Sequence, residues 1–302
     1  MQMNADIFYG YIVKGDLLSA MDHLQNCDDS AALYARYHAL FAQEQYIQYD
    51  VPPMLDRILN AYQQYYRDVF YLLMDKDAAC SRLQARLIAL LGLPTPAPTL
   101  DELEQSHLPG VFESEGFFFL GGRTSGCYGP YVWKTTETVS YSVELPDGVQ
   151  PYTVKLLDGF ITRSWLDYLS FGAVTPGGWA DADGTINCIK ASYDLSSEAF
   201  TVSLLKHEAQ HTRDLAAHPD LPSATLEYRA KLVELIYSTQ RNLLAQFSHE
   251  ADPSDPANGH GMAAHRLCQQ YATLLGHTDY ASVPIPQIQS IARTLFKESN
   301  LA

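Results

Sequence analysis

The stretch LLKHEAQHTRD, residues 204–214, places two histidines four positions apart, with a glutamate directly after the first. Residues four apart lie on one face of an α-helix, so His207 and His211 can aim an imidazole nitrogen at the same point. Two ligands of a tetrahedral Zn²⁺ ion need this geometry. Glu208 projects beside that point, where a carboxylate can take a proton from water held by the metal.

The neighbouring residues predict that this stretch is helical. Phe200 and Leu204 lie four positions apart on an apolar face, and Asp194 and Ser197 have side chains that favour helix N-termini. We therefore expect a single helix over about residues 196–216 that carries both histidines.

A catalytic zinc site needs a third protein ligand and one open position. The loop AAHPDLP contains two prolines that end the first helix, and the segment SATLEYRAKLVEL after it predicts a second helix. If the second helix packs antiparallel to the first, Glu227 reaches the metal and becomes the third ligand. The alternative third ligands are His218, Asp214 and Asp220.

The motif HEAQH, followed by Glu227 on a second helix, resembles the gluzincin class of zinc metallopeptidases, the thermolysin and aminopeptidase type. The resemblance covers about residues 175–240. It implies peptide-bond hydrolysis in a zincin-like fold, with Zn²⁺ bound by His207, His211 and Glu227. It also implies that Glu208 is the general base.

The chain departs from the gluzincin pattern near the third ligand. Arg213 stands where an apolar residue is common, and Lys231 stands where an aspartate commonly follows the ligand glutamate. We expect Glu234, one helical turn further, to accept a hydrogen bond from a ligand histidine instead. The metzincin pattern is not met, because Asp214 and Ala217 occupy the positions that it reserves for a glycine and a third histidine.

A peptidase must also hold an extended peptide, which an edge strand beside the metal helix can bind through its backbone. The segment GGWADADGTINCIKASY, residues 177–193, predicts two short strands joined by a DADG turn. Gly178 would allow a substrate backbone to approach closely, and Trp179 would line a pocket. The alternative is a glycine turn beside a core tryptophan.

The oxyanion that develops during peptide hydrolysis needs a hydrogen-bond donor in addition to the metal. The segment NGHGMAAHRLCQQY, residues 258–271, supplies side chains of the right chemistry. The candidate donors are His260, His265 and Tyr271, and the alternative for each is a surface or core position.

The chain as a whole predicts an α+β protein. Residues 5 to about 93 repeat apolar and aromatic positions at intervals of three and four, which indicates about four helices. The segments FFFLGG, YVWKTTETVSYSVEL and QPYTVKLL predict strands of a small mixed or antiparallel sheet. Later helices are expected over about residues 196–216, 223–248, 257–276 and 284–299. Helices, strands and helices therefore follow one another in blocks rather than alternating.

A proline-rich segment, LGLPTPAPTLDEL at residues 91–103, predicts a boundary between two domains. We expect a helical N-terminal region over residues 1–95 and a zincin-like metallopeptidase domain over residues 96–302. The helical region is a candidate surface for a protein partner.

The charge of the chain excludes two classes of partner. Its 20 Lys and Arg against 35 Asp and Glu give a formal net charge of −15, without a basic cluster. Nucleic acids and anionic membranes bind through positive charge, so we expect neither as a partner. Five widely spaced cysteines without a CxxC motif, and no basic-then-apolar segment near the N-terminus, predict a cytoplasmic protein.

These observations predict a zinc-dependent metallopeptidase that acts on a peptide or protein substrate. One alternative is a catalytically silent regulatory or interaction module that keeps the metallopeptidase scaffold. A second alternative is a helical protein without a metal.

Overall fold

The computed structural model describes residues 2–181 and 184–299. Helix accounts for 55% and strand for 14%, and the strands form small sheets, so the predicted α+β class is confirmed. None of the helices in the described ranges is long and apolar enough to cross a bilayer.

The helices before the strands are α1 (Ala5–Val13), α2 (Leu17–Gln25), α3 (Ala31–Tyr37), α4 (Pro53–Tyr66), α5 (Lys76–Leu91), α6 (Leu100–Glu102) and α7 (Leu108–Ser114). The later helices are α8 (Ser164–Ser170), α9 (Glu198–Thr201), α10 (Leu205–Ala217), α11 (Ser223–Tyr237), α12 (Leu243–Glu250), α13 (Gly259–Leu275) and α14 (Ile285–Glu298). Short π-helical turns cover His38–Ala42, Arg67–Tyr71 and Leu103–His107, and 3-10 turns cover Lys190–Ser192 and Tyr280–Ser282.

The strands are β1 (Phe118–Leu120), β2 (Arg123–Thr124), β3 (Cys127–Tyr128), β4 (Tyr131–Trp133), β5 (Thr135–Leu145), β6 (Gly148–Asp158), β7 (Thr162–Arg163), β8 (Gly178–Ala180) and β9 (Ile186–Ile189). They form sheets of order β1-β4-β7, β2-β3 and β5-β6-β9-β8. β4 pairs antiparallel with both β1 and β7, and β8 pairs antiparallel with β9.

The chain divides into two compact units at positions that differ from the predicted domain boundary. One unit is Met1–Thr136 with Leu157–Pro176, and the other is Glu137–Leu156 with Gly177–Ala302. The proline-rich segment lies inside the first unit. The reason is that α6 and α7 bury Leu100 and Phe112 in the same apolar core as the N-terminal helices.

The N-terminal region contains one more helix break than the predicted four-helix pattern. α1 ends before Gly15, whose φ of +72° is a conformation that glycine adopts readily. A Cβ atom at this position would also lie 2.8 Å from the ring of Phe70. Asp16 then caps α2 by accepting a hydrogen bond from the backbone N–H of Ser19.

The single helix predicted over residues 196–216 is instead two helices, α9 and α10, separated by a turn. Ser197 caps only the short α9, and α10 begins at Leu205 without a side-chain cap. The predicted helix over residues 223–248 is likewise divided into α11 and α12. At the second division, the carboxylate of Glu198 accepts hydrogen bonds from Ser238 Oγ and the backbone N–H of Thr239, each 2.9 Å away.

The second unit is built around α11, which contacts α10, α13 and α14. Residues 228–236 of this helix are all buried, so α11 is the centre of the unit. Its apolar core joins sheet residues such as Val154 and Cys188 to helix residues such as Ala209 and Leu232. A central helix of this kind holds polar side chains from its neighbours in fixed positions.

Candidate metal centre

Helices α10 and α11 pack side by side and run in opposite directions. His207 near the start of α10 contacts Glu234 on α11, whereas Asp214, later on α10, contacts Arg229, earlier on α11. This register places Glu227, in the first half of α11, opposite the two histidines. The antiparallel arrangement required for a third ligand is therefore present.

Three side chains converge where α10 meets α11. His207 Nε2 lies 3.0 Å from His211 Nε2 and 3.3 Å from Glu227 Oε2. His211 Nε2 lies 3.4 Å from Glu227 Oε1. His207 is buried and the other two side chains are half-buried. The potential ligand atoms of these three side chains all lie within 4.8 Å of one another, which is close enough to hold one cation.

The three distances agree with the dimensions of a zinc site. Ligand atoms about 2.0–2.1 Å from a tetrahedral Zn²⁺ ion lie about 3.3 Å from one another. The distances of 3.0, 3.3 and 3.4 Å in the cluster are close to that value. Two imidazoles with one carboxylate are also a donor set that zinc commonly has in enzymes.

Two polar atoms of the cluster have no hydrogen-bond partner in the described residues. They are His211 Nδ1 and Glu227 Oε2, and both are buried. Glu227 Oε2 is 2.9 Å from His260 Nδ1 and 3.3 Å from His207 Nε2, but neither contact has hydrogen-bond geometry. Buried polar atoms are normally paired, so an unpaired carboxylate oxygen beside imidazole nitrogens suits a bound cation.

The electrostatics of the cluster are dominated by two carboxylates that face His207. Burial lowers the pKa of His207, but its contacts with Glu227 and Glu234 outweigh burial and raise the pKa to about 10. Burial raises the pKa of Glu227, but the histidines beside it hold that pKa well below its usual range. Without a metal, a proton on His207 therefore balances the negative charge, and a divalent cation would take its place.

The glutamate of the H-E-x-x-H motif faces an open cavity. This cavity of about 630 Å³ is lined by His207, Glu208 and residues from α11, α12 and the start of α13. The remaining lining residues are Ser203, Lys231, Glu234, Leu243, Gln246, Phe247, Glu250, Asn258, His260 and Gly261. The half-buried Glu208 carboxylate has no hydrogen bond or ion pair within residues 2–181 and 184–299, so no other side chain in those ranges occupies it.

The contact that the sequence predicts for Glu234 is present. Glu234 Oε1 lies 2.7 Å from His207 Nδ1, and both side chains are buried. This contact fixes the ring of His207 and leaves Nε2 facing Glu227 and His211. A carboxylate that accepts the second N–H of a ligand histidine raises the basicity of the nitrogen that binds metal.

The three candidate oxyanion donors are not equivalent. His260 is exposed and lies at the cluster, with its ring nearly parallel to that of His207 at a centroid distance of 6.3 Å. Tyr271 is fully buried and donates its hydroxyl to the carbonyl of Ile288, 2.7 Å away, so it cannot serve the site. His265 does not line the cavity either. Only His260 of the three has a position from which it could contact substrate.

One of the two short strands predicted in this segment is β8, which lies at the edge of the four-stranded sheet. Its residue Gly178 pairs with Cys188 of β9, and a Cβ atom there would collide with the carbonyl oxygen of Asn187. The protein's own strand therefore makes the close approach that we expected of a substrate backbone. Trp179 is half-buried in β8 and does not line the cavity. Ala182 and Asp183 of the predicted turn lie outside the described residues.

The alternative third ligands have other positions. Asp214 is buried, with Oδ2 2.8 Å from Arg229 Nε and Oδ1 2.8 Å from Gln210 Nε2. His218 ends α10 and, like the exposed Asp220, is not part of the three-residue cluster. No motif in the sequence indicates the Asp214–Arg229 pair. An antiparallel register that aligns His207 with Glu234 could have indicated it.

Comparisons of the chain with protein-family models, with curated proteins and with solved structures give no match. The likeness to gluzincins is therefore limited to the H-E-x-x-H motif and the glutamate on the following helix. What the site can do chemically follows from its own residues.

Proposed function

We propose that this protein is a zinc-dependent metallopeptidase. The observation that supports the proposal most directly is the convergence of His207, His211 and Glu227, with the unpaired Glu208 in the adjoining cavity. Two imidazoles and a carboxylate leave one position of a tetrahedral ion open, which distinguishes a catalytic zinc site from a closed structural one. The family proposed on this basis is the gluzincin class.

Each residue of the centre has a separate task in the proposed reaction. His207, His211 and Glu227 would hold the ion, while Glu234 keeps the ring of His207 in place through Nδ1. A bound zinc ion supplies Lewis-acid polarisation of a carbonyl and lowers the pKa of water. Glu208 would accept a proton from that water and deliver it to the leaving amine.

The choice of a peptide as substrate is supported by the edge strand β8. Gly184, in the connection between β8 and β9, lies close to α10. A Cβ atom built on Gly184 would be 3.1 Å from Thr212 Oγ1 of that helix. Thr212 directly follows the ligand His211, so the end of the β8–β9 pair is near the metal helix. An edge strand has unpaired backbone groups that can bind an extended peptide.

The compartment is also part of the proposal. All five cysteines are free thiols, and Cys27, Cys127 and Cys188 are buried. Free thiols persist in a reducing environment, which supports a cytoplasmic location. We propose no nucleic-acid or membrane partner, in keeping with the net charge of −15.

The decisive experiment replaces Glu208 by Gln. Zinc content by elemental analysis and cleavage of a peptide library are measured for the wild type and for Glu208→Gln. We expect stoichiometric zinc in both proteins, and at least about a hundredfold slower cleavage in the variant because the general base is lost. Glu298→Gln, an exposed change on α14, is the matched control and should cleave at the wild-type rate.

Three outcomes would contradict the proposal. Equal cleavage rates for the wild type and Glu208→Gln would show that Glu208 is not the base. Zinc in the wild type, without cleavage of any peptide, would favour the catalytically silent interaction module. A wild-type protein without zinc would exclude both the zinc peptidase and the catalytically silent module.

A further inference from the structure

One lysine of the cavity is buried although lysines normally reach solvent. Lys231 has 3% of its surface exposed, and it lines the same cavity as His207 and Glu208. A buried ammonium group is costly unless it is paired. This lysine occupies the position where the gluzincin pattern commonly has an aspartate. The cavity is therefore lined by a positive charge at a position where that pattern has a negative one.

The ammonium group of Lys231 is only partly satisfied. Nζ donates to Glu250 Oε2, 2.6 Å away, and lies 4.1 Å from the centroid of the Phe247 ring. An ammonium group has three donors, and in the described part of the chain Glu250 is the one hydrogen-bond acceptor that Lys231 has. A single carboxylate therefore balances the charge of this ammonium group.

Lys231 shares a helix face with the metal cluster. Glu227, Lys231 and Glu234 follow one another at intervals of four and three on α11, which places them along one face. The first and last of the three both contact His207. Four residues advance a helix by about 6 Å, a distance that one or two residues of an extended peptide span.

We propose that Lys231 determines substrate specificity by binding a carboxylate of the peptide, one or two residues from the bond that is cleaved. The carboxylate is either the free C-terminus of the substrate or an Asp or Glu side chain. This inference rests on the proposed peptidase function, because it assigns the substrate class of that site.

Glu250 occupies the place of the substrate carboxylate in the free protein. Its side chain is 47% exposed at the end of α12, whereas the lysine that it contacts is buried. An exposed partner can move away without burying a charge, so an incoming carboxylate exchanges with Glu250. The exchange keeps Lys231 paired throughout.

The test measures binding separately from cleavage. In the zinc-loaded Glu208→Gln background, calorimetry compares a short peptide acid with its C-terminal amide, and an internal Glu peptide with its Gln counterpart, both with amidated ends. We expect one carboxylate-bearing peptide to bind about tenfold to a hundredfold more tightly than its neutral counterpart. Whichever pair shows the difference identifies the source of the carboxylate.

Two further substitutions in that background assign the preference to Lys231. Lys231→Met should abolish the difference within the pair, and Glu250→Gln should increase it because the competing carboxylate is gone. Lys206→Met is the matched control, since Lys206 Nζ also lies over an aromatic ring, 3.9 Å from the centroid of Tyr237, but outside this cavity. It should keep the full difference. Zinc content and circular dichroism verify that each variant is folded.

Three results would overturn the inference: no binding of any peptide, equal binding within both pairs, or a difference that survives Lys231→Met. None of these depends on turnover. A protein that binds carboxylates through Lys231 but cleaves nothing would refute the peptidase and leave the binding assignment standing. A protein that cleaves peptides but shows no preference for a carboxylate would refute the assignment of Lys231 and leave the peptidase proposal standing.

Discussion

Glu234 Oε1 lies 2.7 Å from His207 Nδ1, and both side chains are buried between α10 and α11. This contact determines which nitrogen of His207 faces the cluster. With Nδ1 engaged by Glu234, Nε2 is the atom that faces His211 and Glu227. The geometry of the three-residue cluster therefore depends on a residue outside the cluster.

Removing the carboxylate of Glu234 should weaken zinc binding without removing a ligand. For Glu234→Ala we expect the zinc dissociation constant to rise about tenfold to a hundredfold, because His207 loses the acceptor that orients its ring. Glu234→Gln keeps an acceptor and should show a smaller rise. Competition with a fluorescent chelator gives both constants. An unchanged constant in Glu234→Ala would mean that His207 is held by other contacts.

Replacing one histidine of the cluster should remove the metal. We expect His211→Ala to lose most of its zinc after gel filtration, since only two ligands remain. His218→Ala is the control, because His218 ends the same helix but lies outside the cluster. Elemental analysis of untagged protein measures both. Loss of zinc from His218→Ala with retention in His211→Ala would reverse the ligand assignment.

Breaking the buried ion pair beside the cluster should destabilise the second unit. In Arg229→Met the carboxylate of Asp214 remains buried without its cation, which costs about 3–5 kcal/mol in comparable pairs. Urea unfolding of the variant should show this loss. The double variant Asp214→Leu with Arg229→Met should recover much of the stability, because no lone charge is left. A neutral effect of Arg229→Met alone would contradict the inferred burial of the pair.

A buried carboxyl in the first unit should make stability fall as pH rises. Burial raises the pKa of Glu104 from 4.5 to about 7, although the Tyr62 hydroxyl and the Gly122 N–H, each 2.6 Å away, oppose the rise. A carboxyl whose pKa is raised on folding stabilises the fold fully below pH 4.5. That stability is lost as pH increases through 7, by at most about 3 kcal/mol.

The corresponding variant is Glu104→Gln, which cannot ionise. We expect its melting temperature to fall less than that of the wild type between pH 4.5 and pH 8. Glu113→Gln, an exposed change on α7, should follow the wild-type curve. Parallel curves for Glu104→Gln and the wild type would show that Glu104 does not titrate in this range.

Local patterns predicted those features that depend on neighbouring residues. The intervals of three and four between apolar positions correctly placed α13 and α14 within a few residues, and also the end of α10 and the start of α11. They missed the turns that divide the predicted helices over 196–216 and 223–248. At the turn after α11, Ser238 and Thr239 donate hydrogen bonds to the carboxylate of Glu198, some forty residues away in the sequence. A contact between distant residues has no periodic signature.

The candidate donors on α13 show the same limit in another form. Five residues separate His260 from His265, which turns them about 140° apart on a helix. Tyr271 lies on nearly the same face as His260, but about 16 Å further along the axis. By residue type alone, all three side chains could donate a hydrogen bond to an oxyanion. The packing of α13 against α11 decides which one reaches the cluster.

The sequence by itself determined that His207 and His211 share one helix face, because helical geometry is local and fixes the direction of side chains four apart. It also determined the α+β class, because periodicity and residue type change in blocks along the chain. Only the tertiary structure decided that Glu227 meets both histidines, that Glu234 meets His207 and that Asp214 pairs with Arg229. Those contacts require α10 and α11 to pack in one particular register. That register is set because α11 is buried on several sides at once, by α10, α13 and α14.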